Sequence, residues 1–444
     1  MIAFASLFLG LVVGLQPVTV FVQGPVAAVS FELDGKTVGR TARPPWTLKV
    51  DFGAELSPHE LVARAFDGEG RELGETRQFL NLPRPPAEVD VLLEHDAKGK
   101  AVAARLSAQS LVGGLPSRVS AAFDGSPLFS LDPGRFELPD YDLEARHVLT
   151  VEFEFSSAVS SRTDVVLGGG ASSVARSELT AVALRRGSDG PFPGTADLAG
   201  ALSASGRELP IVAVEGGPAL VCVVRSPTID LALKALGTGG RTSFVMQPGT
   251  TRRLPQFDRD FGRYAMALEA EDILRFVWPV ARPAPASPAE LYDASHDYAG
   301  KDGGVHWLLT RVEHPERPVK DLHFADAAAV AGLQASAAGS RRAIVLVLGG
   351  ESRDASRHTP AAVRRYLAAI RVPLFVWSLK SPSSQPLAAA WGKVEDVSTA
   401  DKLEAAVLRL KAELALQRIV WVQGRHLPQD ISLSEKFPGL DFAH

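Results

Sequence analysis

The chain has 444 residues, 46% hydrophobic and 22% charged, a length and apolar share that suit several packed domains. A formal net charge of −4, with no long block of one sign, argues against a nucleic-acid footprint or a polybasic membrane patch. One cysteine, Cys222, excludes an intrachain disulfide and a cysteine-rich zinc cluster; within an apolar run it reads as a small buried hydrophobe.

Residues 2–15 are apolar, too short a stretch to span a bilayer comfortably. They fit the core of a signal peptide over 1–16, with Val12 and Gly14 as small residues near a cleavage point, which implies export. No Lys or Arg precedes Lys36, so the usual positive leader is missing. A non-cleaved anchor and an edge strand of a cytoplasmic protein are the alternatives.

The first half then reads as strands. "VTVFV", "VSFEL", "WTLKVDF", "HELVARAF" and "TRQFLNL" are short, rich in Val, Phe, Leu and Thr, and punctuated by Gly, Pro or Asp. Asp34-Gly35 and the "DGEG" at Asp67 are hairpin signals. "VSFELDG" ending at Gly35 is echoed by "VSAAFDG" ending at Gly125, and "HELVARAF" from His59 by "HVLTVEF" from His147. The matched spacing predicts two tandem β-sandwiches, 17–83 and 87–167, joined by a stiff linker at Pro83, Pro85 and Pro86.

After the flexible "GGGASS" the pattern changes. Apolar strands "ALVCVV", "AIVLVL" and "PLFVW" alternate with helical stretches. "TPAAVRRYLAAI" carries Thr359 as N-cap and Pro360 at the first helical position. The segment after Ser398 places Leu403, Val407, Leu410 and Leu414 on one face, and Ser398 with Asp401 approximates a capping box. Strands apolar throughout, between amphipathic helices, predict a mostly parallel, doubly wound sheet over 175–424. Residues 281–304 read as a surface insertion and 425–444 as a C-terminal tail. The expected fold class is therefore multidomain: two β-sandwiches followed by a doubly wound α/β domain.

Several chemistries fail on pattern. Gly35-Lys36-Thr37 lacks the preceding glycine and the strand-to-helix context of a phosphate loop. "HELVA" at His59 lacks a zinc protease's second histidine, and no Gly-x-Ser-x-Gly elbow occurs. His296, His306, His314 and His323, with Asp293, Asp297 and Asp302, form the most enzyme-like cluster, but their spacing matches no metal motif. Trp278, Trp307, Trp377, Trp391 and Trp421 read as packing anchors.

Two resemblances add to this reading. "VSFELDGKTVG", "PPWTLKVDFG" and "HELVARAFDGEGRELG" resemble bacterial immunoglobulin-like domains, which implies a spacer or adhesion module. "ALVCVVRSPT", "HFADAAAVAGL", "AIVLVLGGESRD" and "VPLFVWSL" resemble the von Willebrand factor type A domain, in its divergent exported bacterial form, which implies a Rossmann-like fold for the α/β domain. That family often holds Mg²⁺ at the carboxyl edge of the sheet through Asp-x-Ser-x-Ser, a loop Thr and a later Asp. Here Val224 stands where the first Asp belongs and Gly349 where the later one does, while Ser226 and Thr228 keep hydroxyls. Two hydroxyls without a carboxylate do not hold Mg²⁺ against water, so no metal or other cofactor is expected unless Glu351 or Asp354 substitutes. The alternative makes those acids turn residues, with Ser226 or Thr228 as a helix cap. The expected function is a non-enzymatic, exported protein-binding or scaffolding role, with no nucleic-acid partner and no membrane span in the mature chain. Its partner-binding edge would be Ser226, Thr228, Glu351 and Asp354, or else the 281–304 insertion. The rivals are a hydrolase-type enzyme using residues 293–323 and a metal-dependent adhesion protein.

Overall fold

The computed structural model describes residues 2–6, 11–22, 24–83, 87–96, 100–110, 118–130, 134–145, 147–156, 159–168, 179–187, 190–229, 242–246, 253–257, 266–281, 292–312, 321–337, 339–351, 353–380 and 386–444. They form two compact units: Met1–Pro83 with Ala181–Val422 and His426–His444, and Arg84–Thr180 with Gln423–Arg425.

The first module is a β-sandwich. One sheet orders Ile2–Phe4, Leu15–Val22 and Thr47–Asp51; the other orders Lys36–Thr41, Ala28–Leu33, His59–Phe66 and Glu72–Leu80. Alternate residues point inward, so Val18 and Val20 of one sheet share a core with Val29, Phe31, Leu61 and Ala63 of the other. The second module, in the other unit, repeats the order strand for strand. Ala87–His95, Ala101–Ser110 and Arg135–Glu137 form one sheet; Ser126–Leu128, Arg118–Phe123, His147–Ser156 and Val159–Leu167 form the other. Both are immunoglobulin-like sandwiches.

The sequence echo is one hydrogen-bonded device built twice. Asp34 and Gly35, and again Asp124 and Gly125, all have left-handed φ, between 48° and 78°, as a two-residue hairpin turn demands. His59 Nδ1 lies 2.7 Å from Oδ2 of Asp34, and His147 Nδ1 lies 2.6 Å from Oδ2 of Asp124. The other oxygen of each aspartate accepts a backbone N–H from the same neighbouring strand, of Glu60 at 2.9 Å and Val148 at 2.8 Å. Burial pushes the Asp34 carboxyl up, but His59 and the Glu60 N–H outweigh it and hold it below the ordinary range. His147 and the Val148 N–H hold Asp124 low in the same way.

Three expected boundaries change. The first module begins before residue 17: Ile2–Phe4 takes the sheet position that Ala87–His95 holds in the second module. Val12 and Val13 are buried, and Val12 exchanges two backbone hydrogen bonds with the Asn81 side chain. Residues 175–424 are not one domain. Leu179–Arg186, Ile211–Glu215, Gln417–Gln423 and Leu440–Phe442 form one sheet, and Leu202–Ala204, Arg207–Glu208 and Ile431–Leu433 another. Together they make a third small sandwich around Leu184, Leu202, Val420 and Ile431. The α/β domain sits between its fourth and fifth strands in chain order. The expected C-terminal tail therefore supplies two strands. Short strands far apart in the sequence carry no local signal that they belong together, which is why this sandwich escapes a pattern reading. The linker residues 84–86 and the segment 169–178 lie outside the described residues.

The α/β domain follows its periodicity. Parallel strands Ala219–Arg225, Ile273–Ala281, Arg341–Leu348, Leu374–Ser378 and Glu395–Asp396 lie in the order 2-1-3-4-5, with Tyr292–Ala294 and Tyr298–Ala299 antiparallel to the second. Leu220, Cys222 and Val224 face helices Phe324–Ala337 and Pro360–Ala369; Val221 and Val223 face Val305–Arg311 and Ala400–Leu416. The central strands are thus buried on both faces, as continuous apolar runs require. Gly332 lets the first helix pair approach closely, since a Cβ there would lie 2.1 Å from Cδ2 of Leu367. Thr359 caps its helix as expected, accepting the Ala362 N–H at 3.2 Å. The helix Ala400–Leu416 is capped by Thr399 rather than Ser398.

Candidate functional site at the carboxyl edge of the parallel sheet

In an open α/β sheet, ligands sit beyond the carboxyl ends of the strands where the strand order reverses. Here that point lies between Ala219–Arg225 and Arg341–Leu348, neighbours in register from Ala219↔Arg341 to Arg225↔Val347. The first strand runs into Ser226 and the short turn Pro227–Ile229; the second runs into Gly349, Gly350 and Glu351.

This edge is filled by the protein's own groups. Val224 is fully buried in the core. A Cβ on Gly349 would lie 1.8 Å from Cγ2 of Ile229, so Ile229 occupies the space a side chain at 349 needs. Ser226 is fully buried, so it cannot contribute to an exposed partner-binding edge as expected. The Thr228 side chain lies outside the described residues. Arg225, also fully buried, donates to the carbonyl of Val312 and has its guanidinium 4.8 Å from the Trp278 ring centre. A fixed cation adjoining Ser226 opposes a divalent metal there.

The two acids proposed as substitutes have separate tasks. Glu351 turns back on its own loop, accepting the Gly349 N–H at 2.8 Å through Oε2. Its Oε1 is buried and has no hydrogen-bond partner among the described residues. Asp354 caps the helix Phe324–Ala337, accepting the N–H groups of Phe324 at 3.0 Å and Ala325 at 3.1 Å. Asp326, in that helix's first turn, answers by accepting the Arg357 and His358 N–H groups at 2.8 and 3.0 Å. His358 Nδ1 lies 2.7 Å from Oδ1 of Asp326, and the Tyr292 hydroxyl donates to Oδ2 at 3.4 Å. Burial raises the Asp326 carboxyl, but His358 and the two N–H groups win and keep it low. Burial and the adjoining Asp326 push the Tyr292 phenol up. The loop 353–358 is thereby fastened to a helix N-terminus, and its exposed side chains are Arg353 and Arg357.

Sequence reasoning missed Arg225, Ile229, Asp326 and His358. An arginine closing a run of buried apolar residues was a visible anomaly. The Asp326–His358 pair, 32 residues apart, had no local signature.

The His/Asp-rich region is dispersed. His296 packs on Tyr298 with ring centres 4.2 Å apart, and Asp297 pairs with Arg275 at 2.7 Å. Asp302 accepts the Ala299 N–H, and His323 lies beside Tyr292. His306 and Asp293 have polar or ring partners of their own. His314 lies outside the described residues. Among the described residues no group of three or more His, Cys, Asp or Glu could hold a metal ion. The 281–304 insertion is in part sheet, since Tyr292–Ala294 and Tyr298–Ala299 extend it; residues 282–291 lie outside the described residues. Among the described residues no helix is long and apolar enough to cross a membrane.

No protein-family model matches the chain, and no curated protein matches it. Solved structures do. The fibronectin(III)-like modules of Clostridium thermocellum CbhA align at 18% identity over 18% of this chain and 93% of theirs, with a TM-score of 0.16. Proximal thread matrix protein 1 from the mussel byssus aligns at 10% identity over 52% of this chain and 50% of its own, with a TM-score of 0.27. A beta-glucuronidase from Parabacteroides merdae aligns at 14% identity over 37% of this chain and 24% of its own, with a TM-score of 0.16. None of these likenesses carries a functional argument. The sheets themselves define the class: a multi-module protein of immunoglobulin-like β-sandwiches with an α/β domain set into the last.

Proposed function

We propose that this chain is a non-enzymatic binding or scaffolding protein whose α/β domain is a degenerate von Willebrand type A-like domain. The parallel sheet with helices on both faces and an antiparallel edge supports the domain reading. One observation carries the functional reading: the carboxyl edge is occupied from within. Ile229 fills the space over Gly349, Arg225 places a cation beside Ser226, and Asp354 is spent on a helix cap. A partner at this edge would meet the rigid loop 353–358, with Arg353 and Arg357 outermost.

A second reading rests on the buried Oε1 of Glu351, which has no partner among the described residues and would suit a metal. Calorimetry with Mg²⁺ and Mn²⁺ at millimolar concentration separates the two. The main reading expects no heat; heat that disappears in Glu351→Gln supports the second. Turnover on a broad hydrolase panel, abolished by His306→Ala, would overturn both in favour of an enzyme.

A further inference from the structure

A cavity of about 430 Å³ opens beside the helix Pro360–Ala369, with Leu374 and Val376 of the fourth parallel strand in its wall. That volume lies in the range of small-molecule sites. Its apolar lining includes Leu367, Val372, Val376 and Trp391. The C-terminal segment reaches it, so that His444 stands in the wall. Arg371 anchors this segment, with its guanidinium 3.7 Å from the Phe442 ring centre and a hydrogen bond to the carbonyl of Pro428.

The charged side chains among the described residues of the wall, Arg364, Arg365 and Lys393, are cationic. Arg365 is paired with Glu55 at 2.9 Å. Among the described residues, Arg364 and Lys393 have neither an acidic nor a hydrogen-bonding partner, and no carboxylate side chain lines the cavity. Arg364 is nonetheless placed, because its Nη1 lies 2.6 Å from where a Cβ on Gly392 would be; the missing side chain at 392 lets the guanidinium lie against the backbone. Trp391 is 1% exposed, and its indole N–H is buried with no acceptor among the described residues. A buried donor without a partner costs free energy unless something supplies one.

We infer that this cavity binds a small amphiphilic anion, an organic carboxylate with an apolar body. The body lies on Leu367 and Val376, and the carboxylate meets Arg364 and Lys393. Two cations with no acidic partner among the described residues, beside apolar side chains, favour this class over a bare inorganic anion or a neutral lipid.

The test is calorimetry of octanoate against the full chain, with acetate and 1-octanol as controls. Octanoate should bind at one site with a Kd below about 1 mM. Each control should bind at least about tenfold more weakly, as should Lys393→Glu, since a charge-assisted hydrogen bond is worth roughly that factor. Lys393 is exposed, so its variant tests the charge without disturbing the core. Arg364→Gln should weaken binding in the same sense. The indole N–H resonance lost in Trp391→Phe should shift when octanoate is added to the wild type. No heat at about 5 mM octanoate would overturn the assignment. So would an unchanged affinity in the Arg364→Gln, Lys393→Glu double variant, or a shift confined to the other indoles.

Discussion

Placing a methyl group at position 349 tests whether the carboxyl edge is closed from within. The Cβ of Gly349→Ala would lie 1.8 Å from Cγ2 of Ile229, where carbon atoms in contact prefer about 3.5–4.0 Å. Roughly 2 Å must be recovered by moving Ile229 or the turn it belongs to, and Ile229 is only 4% exposed. Overpacking of this kind costs about 1–3 kcal/mol. Gly349 is not among the left-handed glycines, so alanine returns about 0.5–1 kcal/mol through the unfolded chain. The net loss is about 1–2 kcal/mol. Four of the six tryptophans, Trp278, Trp307, Trp377 and Trp391, lie in the α/β domain, so indole fluorescence in urea reports mainly on it. With a slope of roughly 2 kcal/mol per molar, the midpoint should fall by about 0.5–1 M. In an Ile229→Ala background the same change at 349 should be nearly neutral, a coupling of about 1–2 kcal/mol. An equal fall in both backgrounds would refute the claim that Ile229 fills this space.

The histidine–aspartate clips make the acid limb of stability testable. Asp34 and Asp124 have depressed folded-state pKa values, so their contribution is present above the ordinary carboxylate value near ~4 and is lost as pH falls through the folded values. His59→Ala and His147→Ala should each make the loss of stability below that pH shallower, read by denaturation at a series of pH values; a steeper acid limb would contradict the clip. Burial pushes the Cys222 thiol up to about 12, so iodoacetamide at pH 8 should leave it unmodified in the native chain and label it on unfolding, by mass. Asp272→Ala should strand the buried Arg341 and cost about 3–5 kcal/mol, whereas Asp272→Leu with Arg341→Met should cost much less by the same urea assay.

What was legible in the sequence follows from where its causes lie. The parallel strands could be read because burial on both faces makes "ALVCVV" and "AIVLVL" continuously apolar, and the helix starting at Pro360 because its cap is local. The repeat around Asp34 and Asp124 was visible because a left-handed turn and its histidine clip fix residue identities at set distances. The carboxyl edge was half legible. That 224 and 349 carry no carboxylate shows in the residues, but the reason that 349 is glycine lies in Ile229, in the neighbouring strand's turn. Asp354 looked like a free turn acid because the helix it caps begins 30 residues earlier. The cationic cavity was invisible, since Arg364, Lys393 and Trp391 come from a helix and a loop on either side of a strand.

The third sandwich poses a closure problem, and the arginine pair at the start of the central strand answers it. Its strands Ile211–Glu215 and Gln417–Gln423 pair antiparallel, Glu215 opposite Ile419, with the entire α/β domain between them. Such pairing is favourable only if the inserted domain delivers both connections to one place, because the entropy of closing a loop of about 200 residues is otherwise set against it. Arg341 donates to the carbonyl of Gly217 at 2.6 Å, just before the first parallel strand, and to that of Leu414 at 2.8 Å, in the last turn of the final helix. Its third contact, Asp272 at 3.1 Å, also accepts the Ala219 N–H at 2.8 Å. Arg342 adds the other side, its N–H donating to Oε1 of Gln417, where the returning strand begins. The entry and exit of the inserted domain are therefore held together at the amino edge of its own sheet. The two edges divide the work: the amino edge joins the domain to its host sandwich, and the carboxyl edge, closed by Ile229 and Arg225, presents the braced loop 353–358 outward.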